Sequence, residues 1–600
     1  MCGIISYIGD REVIPLLING LKKLEYRGYD SSGICVVDNN NNLKIVKRSG
    51  KISELEKQPE LNEIKGSIGI AHTRWATHGD PNTINAHPHT DCKNEIAIVH
   101  NGIIENFYAL KELLIEEGHK FTSETDSEVI AHLIEKFYDN NLEDAVVEAL
   151  KVVEGAFGLA IIHQKENKLV AARKGSPLLL GIGNNEMFVA SDATPLLNYT
   201  KKVIYLNDNE IAVMDKNNYK IKNLDGNVVD SKIHEIKWTI DQIEKKDFKH
   251  FMLKEIFEQP EAIENTLRGR IKNNEIKLTV TINLIKIKRV IITACGTSWH
   301  SALIGKYIIE KITKIPVEVD YASEFRYRNP IINENDLIIV ISQSGETADT
   351  LAALREAKLK NAKTLGIINV VGSSIAREVE SGIYLHAGPE IGVASTKAFT
   401  CQIIALILLS LYIKQNKNEK IDENMLKELI SLPSLIKDIL KTSLDIRKLA
   451  ETFKDSKNLL YLGRGINFPV ALEGALKLKE VSYIHAEGYP AAEIKHGPIA
   501  LIDKDMPVIF ISPNDDLYEK ILSNMQEVKT RKGEIIAVIN NGDERISKLT
   551  DYKLHVPKVR EEFSPILNII PLQLFAYHFA DLKNIDVDKP RNLAKSVTVE

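Results

Sequence analysis

The sequence predicts an α+β domain followed by two doubly wound α/β domains, and three observations support this prediction. The chain has 600 residues, more than one hydrophobic core usually accommodates. Strands and helices occur in runs over the first ~240 residues, whereas apolar strand runs alternate with helices after residue ~285. The alternating region also contains an internal repeat. These features indicate several domains, of which the last two are related by duplication.

The N-terminal part mixes short strands with amphipathic helices. Its strand segments are rich in β-branched residues, and its helical segments repeat apolar residues at intervals of three and four. Because the two kinds of segment do not alternate strictly, we expect an α+β domain and not a parallel sheet. The predicted strands are Gly3–Gly9, Gly33–Asp38, Ile68–His72, Glu95–His100 and Phe157–Ile162, and the predicted helices are Val13–Lys23, Tyr108–Glu117, Ser127–Tyr138 and Leu142–Val153.

Charge patterning places the main domain boundary. Between Ile236 and Lys254 the chain becomes highly charged, as in EKKDFKH, and loses its hydrophobic periodicity. We therefore expect a first domain over 2–240, a linker over 241–249, two repeated domains over 250–430 and 431–587, and a C-terminal tail over 588–600.

Four strand segments of the second part recur later in the chain at nearly constant spacing. VIITACG returns as LLYLGRG, LIIVIS as PVIFIS, LGIIN as IIAVIN, and IYLHAG as YKLHVP. The paired positions are Gly296 and Gly463, Ser342 and Ser512, Asn369 and Asn540, and Leu385 and Leu554, at offsets of 167, 170, 171 and 169 residues. Such regular spacing predicts two copies of one α/β domain.

Composition excludes several classes of protein. A net charge of −5, with 44% apolar and 26% charged residues, gives no reason to expect nucleic-acid or membrane partners. Five scattered cysteines without a C-x-x-C pair argue against a disulfide framework or zinc site and favour a reducing compartment. The N-terminal residues lack the features of a signal peptide, and the uncharged run from Ala398 to Ile413 is typical of a buried core helix. We therefore expect a cytoplasmic protein.

Cys2 is the first candidate catalytic residue. Removal of Met1, expected before a small residue, would give Cys2 a free α-amine. An α-amine has a pKa of about 7.7–8.0, so it can accept the thiol proton near neutral pH. By itself, a cysteine at this position is more readily explained as an accident of sequence.

Other N-terminal residues fit the needs of an enzyme that hydrolyses the side-chain amide of glutamine. Arg74, in HTRWATHG, could hold the α-carboxylate through a bidentate pair, and Asp126, in SETDSE, could hold the α-ammonium. Asn101 and Gly102, in VHNGIIEN, offer two N–H donors to an oxyanion. Each residue alone has an ordinary explanation: a surface ion pair, a helix cap or a hairpin turn. The combination in a chain that begins with cysteine favours catalysis.

Five histidines in the same region raise the question of a metal site. No acidic ligand cluster and no paired spacing accompanies them, so we expect no metal and no cofactor. These histidines are His72, His78, His87, His89 and His100.

Two loops in the first repeat suit a phosphate group. The loop from Ser342 to Thr347 (SQSGET) follows a buried strand and opens a helix, and the loop from Cys295 to Ser298 (CGTS) follows a neighbouring strand. Hydroxyl groups and free backbone N–H groups at a helix N-terminus bind phosphate, although Ser and Thr are also common helix caps. Both loops should face one crevice at the carboxyl ends of the strands.

The second repeat has SPNDDL where the first has SQSGET. It has lost hydroxyl groups and the glycine and has gained two acids that would repel phosphate. We therefore expect only the first repeat to bind a phosphate group.

The N-terminal motifs carry a resemblance to a known family. MCGI, EYRGYDSSG, HTRWATHG, NAHPH, HNGIIEN and SETDSE together resemble the N-terminal-nucleophile glutamine amidotransferases, in the branch fused to a sugar-phosphate isomerase. The resemblance implies a four-layer αββα domain. It also implies these roles: Cys2 as nucleophile, Asn101 and Gly102 as the oxyanion hole, Arg74 and Asp126 as the residues that hold glutamine, and Trp75 and His78 as further lining of the site, with Trp75 gating the passage of ammonia.

The C-terminal part resembles the sugar isomerase domain family, and the combined resemblance covers nearly the whole chain. It rests on SEFRYR, SQSGETADTL, EIGVASTKAFT, ALEGALKLKE, HAEGYPAAEIKHGP and DKPRNLAKSVTVE. It implies that glutamine and D-fructose 6-phosphate are the substrates and that D-glucosamine 6-phosphate and L-glutamate are the products. It also implies at least a homodimer, because one site residue comes from a partner subunit.

The same resemblance implies roles for residues of the sugar site. The phosphate is bound by Ser342, Gln343, Ser344 and Thr347, and the sugar lies near Thr297, Ser298, Val393 and Ser395. Lys595 forms a Schiff base with the ketose carbonyl, Glu480 moves a proton between the first two sugar carbons, Lys477 polarises the developing charge, and His496, from the partner subunit, opens the sugar ring. On spacing alone, Lys477 and Glu480 would be a surface helix pair and Lys595 part of a solvated tail.

Two alternative functions fit parts of the sequence. A phosphoribosyl-diphosphate-using or asparagine-forming amidotransferase would share the N-terminal part, but the V-x-D-D-S-x-x-x-G-T-T and S-G-G-x-D-S strings that these enzymes need are absent. A non-enzymatic sugar-phosphate-binding regulator would keep Met1. Complete acid–base sets in both parts of the chain argue against this second alternative.

Overall fold

The computed structural model describes residues 2–236 and 240–598. The chain divides into two compact units. The first unit runs to Glu244 and includes the chain end from Ala594, and the second is Lys245–Leu593. Met1, whose removal is predicted, lies outside the described residues.

The first unit contains two antiparallel sheets and the helices that cover them. Its strands are β1 (Gly3–Ile8), β2 (Ser31–Val37), β3 (Leu43–Ser49), β4 (Ile68–Arg74), β5 (His89–Thr90), β6 (Ile96–Ile104), β7 (Gly155–His163), β8 (Glu166–Lys174), β9 (Leu179–Ile182), β10 (Met187–Ala190), β11 (Lys202–Tyr205), β12 (Glu210–Met214), β13 (Tyr219–Asn223) and β14 (His234–Glu235). Its helices are α1 (Val13–Leu24), α2 (Ile52–Glu56), α3 (Glu60–Glu63), α4 (Phe107–Glu116), α5 (Glu128–Phe137) and α6 (Leu142–Lys151). All five predicted strands and all four predicted helices are present, with small shifts at their ends.

The two sheets pack face to face. Their strand orders are β14-β11-β9-β10-β1-β4-β2-β3 and β13-β12-β8-β7-β6-β5. One core, which includes Ile4, Ile70 and Val99, lies between the sheets, and a second, which includes Ile98 and Ile130, lies between the six-stranded sheet and α4–α6. Helix α1 packs on β1 and β4 of the other sheet. The predicted four-layer αββα arrangement is confirmed.

The second unit contains two five-stranded parallel sheets. Its strands are β15 (Ile271–Lys272), β16 (Glu275–Ile276), β17 (Arg289–Ala294), β18 (Val317–Tyr321), β19 (Asp336–Ser342), β20 (Lys363–Ile368), β21 (Ser381–Tyr384), β22 (Asn458–Gly463), β23 (His485–Pro490), β24 (Val508–Ser512), β25 (Ile535–Asn540) and β26 (Tyr552–Val556). Its helices are α7 (Phe251–Phe257), α8 (Gln259–Leu267), α9 (Gly296–Thr313), α10 (Ala322–Tyr327), α11 (Ala348–Leu359), α12 (Ser374–Glu378), α13 (Lys397–Asn416), α14 (Glu423–Leu440), α15 (Ser443–Phe453), α16 (Phe468–Ser482), α17 (Tyr518–Thr530), α18 (Glu544–Ser547) and α19 (Ser564–Leu582).

The two parallel sheets have the same topology. Their strand orders are β18-β17-β19-β20-β21 and β23-β22-β24-β25-β26, and each predicted repeat pair occupies an equivalent strand. The duplication is therefore confirmed, with one correction. Gly296 corresponds to Gly465 and not to Gly463, because both glycines follow an extended residue after the first strand and share a φ of +53°. The offset is then 169 residues, which matches the other pairs.

Helix α13 is the core helix that the uncharged run predicted. It is the one helix among the described residues that is long and apolar enough to cross a membrane, but 83% of its most apolar window is buried inside the protein. It packs against α9 and α8 in the second unit. Burial of this kind is what a core helix requires.

Candidate active sites

Cys2 lies at the start of β1, with its thiol against the backbone of Trp75. The Trp75 N–H donates to Sγ at 3.3 Å, and the thiol donates to the Trp75 carbonyl at 3.5 Å. Burial raises the pKa of the Cys2 thiol above its usual value, and this exceeds the lowering by the Trp75 N–H and by Arg74. The thiol is therefore protonated at neutral pH, and a base must take its proton before it can attack a substrate.

Asn101, on β6, is oriented toward Cys2. Its Nδ2 donates to the Cys2 carbonyl at 3.1 Å, while its Oδ1 lies 3.0 Å from Nε2 of His72. Burial lowers the pKa of His72 to about 3, so the ring is neutral. Since Nε2 also lies 3.0 Å from the His100 carbonyl, it carries the proton and donates. His72 thus fixes which way the Asn101 amide points.

Gly102 follows Asn101 in a conformation that suits only glycine. Its φ is +140°, and a Cβ at this position would lie 1.9 Å from the carbonyl oxygen of Ala156 on the paired strand β7. The backbone can therefore approach β7 only without a side chain.

Arg74 ends β4 and is buried, with 3% of its surface exposed. Its guanidinium donates to three consecutive carbonyls: Nη1 to Asp80 at 3.2 Å, and Nη2 to Gly79 at 3.1 Å and to His78. Three of its five donors are thus given to this loop. A bidentate grip on a carboxylate requires that some of these carbonyls be displaced.

Asp126 precedes α5 and is also buried. Its Oδ2 accepts from the Ile104 N–H at 2.8 Å, and its Oδ1 accepts from the Ser127 hydroxyl at 3.3 Å. It does not cap α5, because Ser127 occupies the N-cap position and makes no side-chain capping bond. Asp126 is instead attached to the end of β6, the strand that carries Asn101.

Trp75 and His78 are half-buried in the segment after β4. The His78 ring stacks edge-on against Phe107 with centroids 5.3 Å apart. His78 and Gly79 also line an open cleft of about 750 Å³ beside α4. This cleft is large enough for a small ligand.

Two residues of this first site, Arg27 and His72, were not predicted from the sequence. Arg27 donates from Nε to the Cys2 carbonyl at 3.1 Å and lies 3.5 Å from Asp192, so it and Asn101 hold the same carbonyl. His72 was considered only as a metal ligand. The EYRGYDSSG motif contains Arg27, but its spacing from Cys2 gave no indication of a contact.

The predicted phosphate loop lies at the carboxyl end of β19 and opens α11. The Ser342 hydroxyl accepts from the Gly345 N–H at 2.9 Å and lies 3.1 Å from the Thr347 hydroxyl. Ser344 accepts from the Glu346 N–H at 3.1 Å, and Gln343 is half-buried in the same loop. The hydroxyl groups thus gather at a helix N-terminus, where a phosphate is stabilised.

Gly345 makes this tight loop possible. Its φ is +68°, and a Cβ would lie 1.9 Å from the Ser373 hydroxyl oxygen. The carboxylate of Glu346 accepts from the N–H and hydroxyl of Ser374 at 2.8 and 2.7 Å. Ser374 therefore binds the Glu346 carboxylate.

The second group of predicted residues forms a buried polar cluster between the two repeats. Lys477, fully buried on α16, donates to the Thr297 hydroxyl at 2.9 Å and pairs with Glu480 at 2.7 Å and Glu473 at 3.3 Å. Burial lowers the pKa of Lys477, but the two carboxylates more than offset this, and the net pKa is raised. Lys477 is therefore a cation held beside the half-buried Glu480.

Glu473 and His300, neither of which was predicted from the sequence, complete this cluster. Glu473 accepts from the Thr297 hydroxyl at 3.1 Å and lies 2.7 Å from Nδ1 of His300. Its side chain is fully buried. Nothing in the local sequence indicated that a glutamate one turn before Lys477 would face another domain.

The remaining predicted residues occupy separate positions in the fold. Ser298 accepts from Gln402 at 2.9 Å, and Ser395 donates to Glu390 at 2.8 Å. Val393 is buried, whereas His496 is exposed at the end of a short 3₁₀ helix (Glu493–His496) that follows β23. Lys595 is half-buried in the chain end that groups with the first unit.

The equivalent loop in the second repeat is acidic. Asp515 accepts from the Leu517 N–H at 2.9 Å, and burial, with Glu561 and Asp516 nearby, raises its pKa. A phosphate group would therefore meet carboxylates at this loop, whereas it would meet hydroxyl groups at the loop of the first repeat.

Comparison with known proteins agrees with this architecture. Residues 72–198 match the glutamine amidotransferase domain family, and residues 283–412 and 452–582 match the SIS domain family. The solved C-terminal domain of glucosamine-fructose-6-phosphate aminotransferase from Francisella tularensis is 44% identical, with a TM-score of 0.56, and covers 57% of this chain and 99% of its own. Fold and matches together define a glutamine amidotransferase domain fused to a duplicated sugar isomerase region.

Full-length relatives narrow this class further. A glutamine–fructose-6-phosphate aminotransferase (isomerizing) from Chlorobaculum tepidum is 54% identical over 620 residues, and one from Bacteroides thetaiotaomicron is 52% identical over 615 residues. In both comparisons 100% of each chain is covered. The chain belongs to the glutamine–fructose-6-phosphate aminotransferase (isomerizing) family.

Proposed function

We propose that this chain converts L-glutamine and D-fructose 6-phosphate to L-glutamate and D-glucosamine 6-phosphate, the first step of amino-sugar nucleotide synthesis. The observation that carries the proposal is Cys2, whose carbonyl accepts from Asn101 Nδ2, in a chain that also holds a hydroxyl-lined loop at a helix N-terminus. The first arrangement suits amide hydrolysis, and the second suits a phosphorylated substrate.

In the first half-reaction, Cys2 attacks the side-chain amide carbon of glutamine. The α-amine left by removal of Met1 takes the thiol proton and passes it to the leaving nitrogen, so that ammonia departs and a thioester remains. Water then hydrolyses the thioester to glutamate. Asn101 Nδ2 and the Gly102 N–H stabilise the oxyanion, a contribution of about 10²–10³ in kcat for a single donor.

Arg74, Asp126, Trp75 and His78 hold the amino acid in this proposal. Arg74 and Asp126 are buried near the ends of β4 and β6, which favours recognition of the two charged ends of glutamine. Trp75 gates the passage of ammonia. Ammonia released into water would be protonated, so its transfer to the sugar must be shielded from solvent.

In the second half-reaction, the phosphate of fructose 6-phosphate binds Ser342, Gln343, Ser344 and Thr347. Thr297, Ser298, Val393 and Ser395 lie along the sugar. Ring opening by His496 exposes the C2 carbonyl, and Lys595 forms a Schiff base there with loss of water. Ammonia then displaces Lys595 from C2.

Isomerisation moves one proton from C1 to C2 and one from the C1 hydroxyl to the imine nitrogen. Glu480 takes the first proton from C1 of the imine and returns it to C2, and the two transfers together convert the ketose-derived imine to the aldose amine. Lys477, held as a cation beside Glu480, stabilises the negative charge that develops between these steps. Overall, fructose 6-phosphate gains ammonia and loses water, and glutamine gains water and loses ammonia.

The proposal includes the organisation of the protein. Its domains are a glutaminase domain over 2–240, a linker over 241–249, sugar isomerase domains over 250–430 and 431–587, and a tail over 588–600 that closes the sugar site. The active form is a cytoplasmic homodimer in which His496 of each subunit serves the other. The reaction needs no cofactor, nucleic acid or membrane.

The decisive experiment combines product analysis with one substitution. The purified protein should form glucosamine 6-phosphate and glutamate in equal amounts from glutamine and fructose 6-phosphate, and its intact mass should lack Met1. Cys2→Ala should abolish both products while leaving isomerisation of the sugar phosphate measurable. Glutamine-dependent product from the Cys2→Ala protein would contradict the proposal.

A further inference from the structure

Four side chains away from both candidate sites bring a sulfur, two ring nitrogens and a carboxylate oxygen together. They are Cys92, His119, His132 and Glu135, and their donor atoms all lie within 4.8 Å of one another. Cys92 lies in the turn between β5 and β6, His119 lies between α4 and α5, and the other two lie one turn apart on α5. His119 and His132 lie outside the group of five histidines from His72 to His100.

The distances within this cluster match a tetrahedral metal centre. Bond lengths of about 2.0–2.3 Å to zinc place neighbouring donor atoms about 3.3–3.6 Å apart. The Cys92 Sγ lies 3.7 Å from Nδ1 of His119 and 3.6 Å from Nδ1 of His132. The Glu135 Oε2 lies 3.1 and 3.5 Å from the same two nitrogens. Both rings therefore present the same atom, Nδ1, to one point.

Groups around the cluster are arranged as partners of metal ligands usually are. The Lys120 N–H donates to Cys92 Sγ at 3.4 Å, and the Cys92 N–H donates to Glu135 Oε2 at 3.1 Å. The other ring nitrogen of His132, Nε2, is buried and faces Glu128 Oε1 at 3.7 Å. A carboxylate behind a histidine favours a proton on that nitrogen and leaves Nδ1 free to bind a metal.

Charge and accessibility also suit a divalent cation. A thiolate and a carboxylate together balance a charge of +2, and Lys93, 3.8 Å from Glu135 Oε1, is mostly exposed to solvent. Cys92 is exposed, so an ion can enter, whereas His132 is 1% exposed and anchors the cluster in the domain. Four protein donors leave no open position, which is typical of a structural site.

We propose that Cys92, His119, His132 and Glu135 bind one Zn²⁺ ion in a structural site. Mixed sulfur, nitrogen and oxygen donors in tetrahedral geometry favour zinc over the oxygen-seeking Mg²⁺ and Ca²⁺. Binding releases the thiol proton of Cys92 and clamps α5 to the β5–β6 turn and to the α4–α5 connection. Because α5 starts two residues after Asp126, the ion would also fix the segment that carries this residue.

Titration of the metal-stripped full-length protein with Co²⁺ and then Zn²⁺ tests the site. The protein should bind one ion per chain, with a thiolate-to-cobalt charge-transfer band and intense tetrahedral visible bands that zinc abolishes. Cys92→Ser and His119→Asn should weaken binding by at least about 10–100-fold, the cost of losing even a supporting contact. His485→Asn, which breaks an exposed His–Glu pair at 3.3 Å without a thiol, should bind as the parent does. Cys2→Ala should also retain the band.

A second measurement covers the case in which a variant folds poorly. In the parent protein, zinc should protect the exposed Cys92 from alkylation, as mapped by peptide mass spectrometry, and leave Cys2 reactive. Lack of stoichiometric uptake, a cobalt–thiolate band that persists in Cys92→Ser, or unchanged alkylation of Cys92 would each overturn the proposal.

Discussion

At the scale of single residues, the first candidate site depends on buried polar groups that fix one another. Asn101 alone could point its amide either way, but the neutral His72 donates to its Oδ1 and so directs Nδ2 toward Cys2. Arg27 donates a second hydrogen bond to the same Cys2 carbonyl. Orientation by neighbours of this kind is what gives an oxyanion hole its effect, because the donors need no reorganisation during the reaction.

Gly102→Ala should disable glutamine hydrolysis. The new Cβ would meet the Ala156 carbonyl at 1.9 Å, so the backbone must shift and the Gly102 N–H must leave its position. We expect glutaminase kcat to fall by about 10²–10³, the cost of one oxyanion donor, with sugar-phosphate isomerisation retained. Parallel assays of the two activities measure this.

Gly226→Ala is the matched control for this substitution. Gly226 also has a positive φ, +84°, but its Cβ would meet nothing within 4 Å. It should cost roughly 1–2 kcal/mol of stability and no catalysis. Equal loss of glutaminase activity in both variants would show that backbone strain in general, and not the Gly102 donor, is responsible.

His72 should make the first unit sensitive to acid. Its pKa is about 3 in the folded protein, against 6.5 for an unburied ring. Below pH 6.5 the unfolded chain binds a proton that the folded chain does not, so stability is complete above pH 6.5 and falls as the pH is lowered toward 3. At pH 5 the loss is about 2 kcal/mol. Denaturant melts of the parent and His72→Gln should differ in this slope; parallel pH profiles would contradict the assignment.

At the scale of elements, the duplicated sheets carry loops of different chemistry at the same topological position. The loops after β19 and β24 are equivalent in topology, yet one gathers hydroxyl groups and the other gathers acids. A helix N-terminus attracts anions in both places, so the side chains decide which loop binds phosphate.

Ser344→Ala should raise the KM for fructose 6-phosphate, since it removes a hydroxyl from the proposed phosphate loop. A hydrogen bond to a charged group contributes about 1.5–3 kcal/mol, so we expect an increase of roughly tenfold or more. Asn514→Ala, at the equivalent position after β24, is the control and should leave KM unchanged. Initial-rate measurements of isomerisation report both values. An equal rise in the two variants would contradict the specialisation of the repeats.

Strands and helices were largely predictable because hydrophobic periodicity dictates them. The repeat was also visible, although Gly463 was paired with Gly296 in place of Gly465. A letter-by-letter alignment of VIITACG with LLYLGRG ends on Gly296 and Gly465, and their shared positive φ agrees. The roles of Glu473 and His300 were not visible. On spacing alone, Lys477 and Glu480 looked like a surface helix pair, and only the packing of α16 against α9 shows that Lys477 is buried beside Thr297.

At the scale of the whole molecule, the exposed position of His496 supports the proposed shared site. In the proposed mechanism, an exposed His496 acts on the sugar bound to a second subunit, and a two-fold dimer gives both subunits this contact equally. His496 ends a short 3₁₀ helix, Glu493–His496, that follows the edge strand β23.

Mixing two inactive variants tests the shared site. His496→Asn and Glu480→Gln should each abolish isomerisation. If His496 serves the partner, a mixed dimer has one site with both substitutions and one intact site. Co-refolded or co-expressed variants should then recover roughly a quarter of the parent's sites. No recovery, with mixed dimers confirmed by mass, would place His496 in its own subunit's site.

The central claim is that nitrogen passes from glutamine to the sugar phosphate within one protein. The direct measurement supplies glutamine labelled with ¹⁵N at the side-chain amide, fructose 6-phosphate and an excess of unlabelled ammonium, and follows the product by mass spectrometry. We expect glucosamine 6-phosphate to carry ¹⁵N almost completely, and the Cys2→Ala protein to form no labelled product. Product that carries mainly unlabelled nitrogen, or no amino sugar at all, would contradict the account.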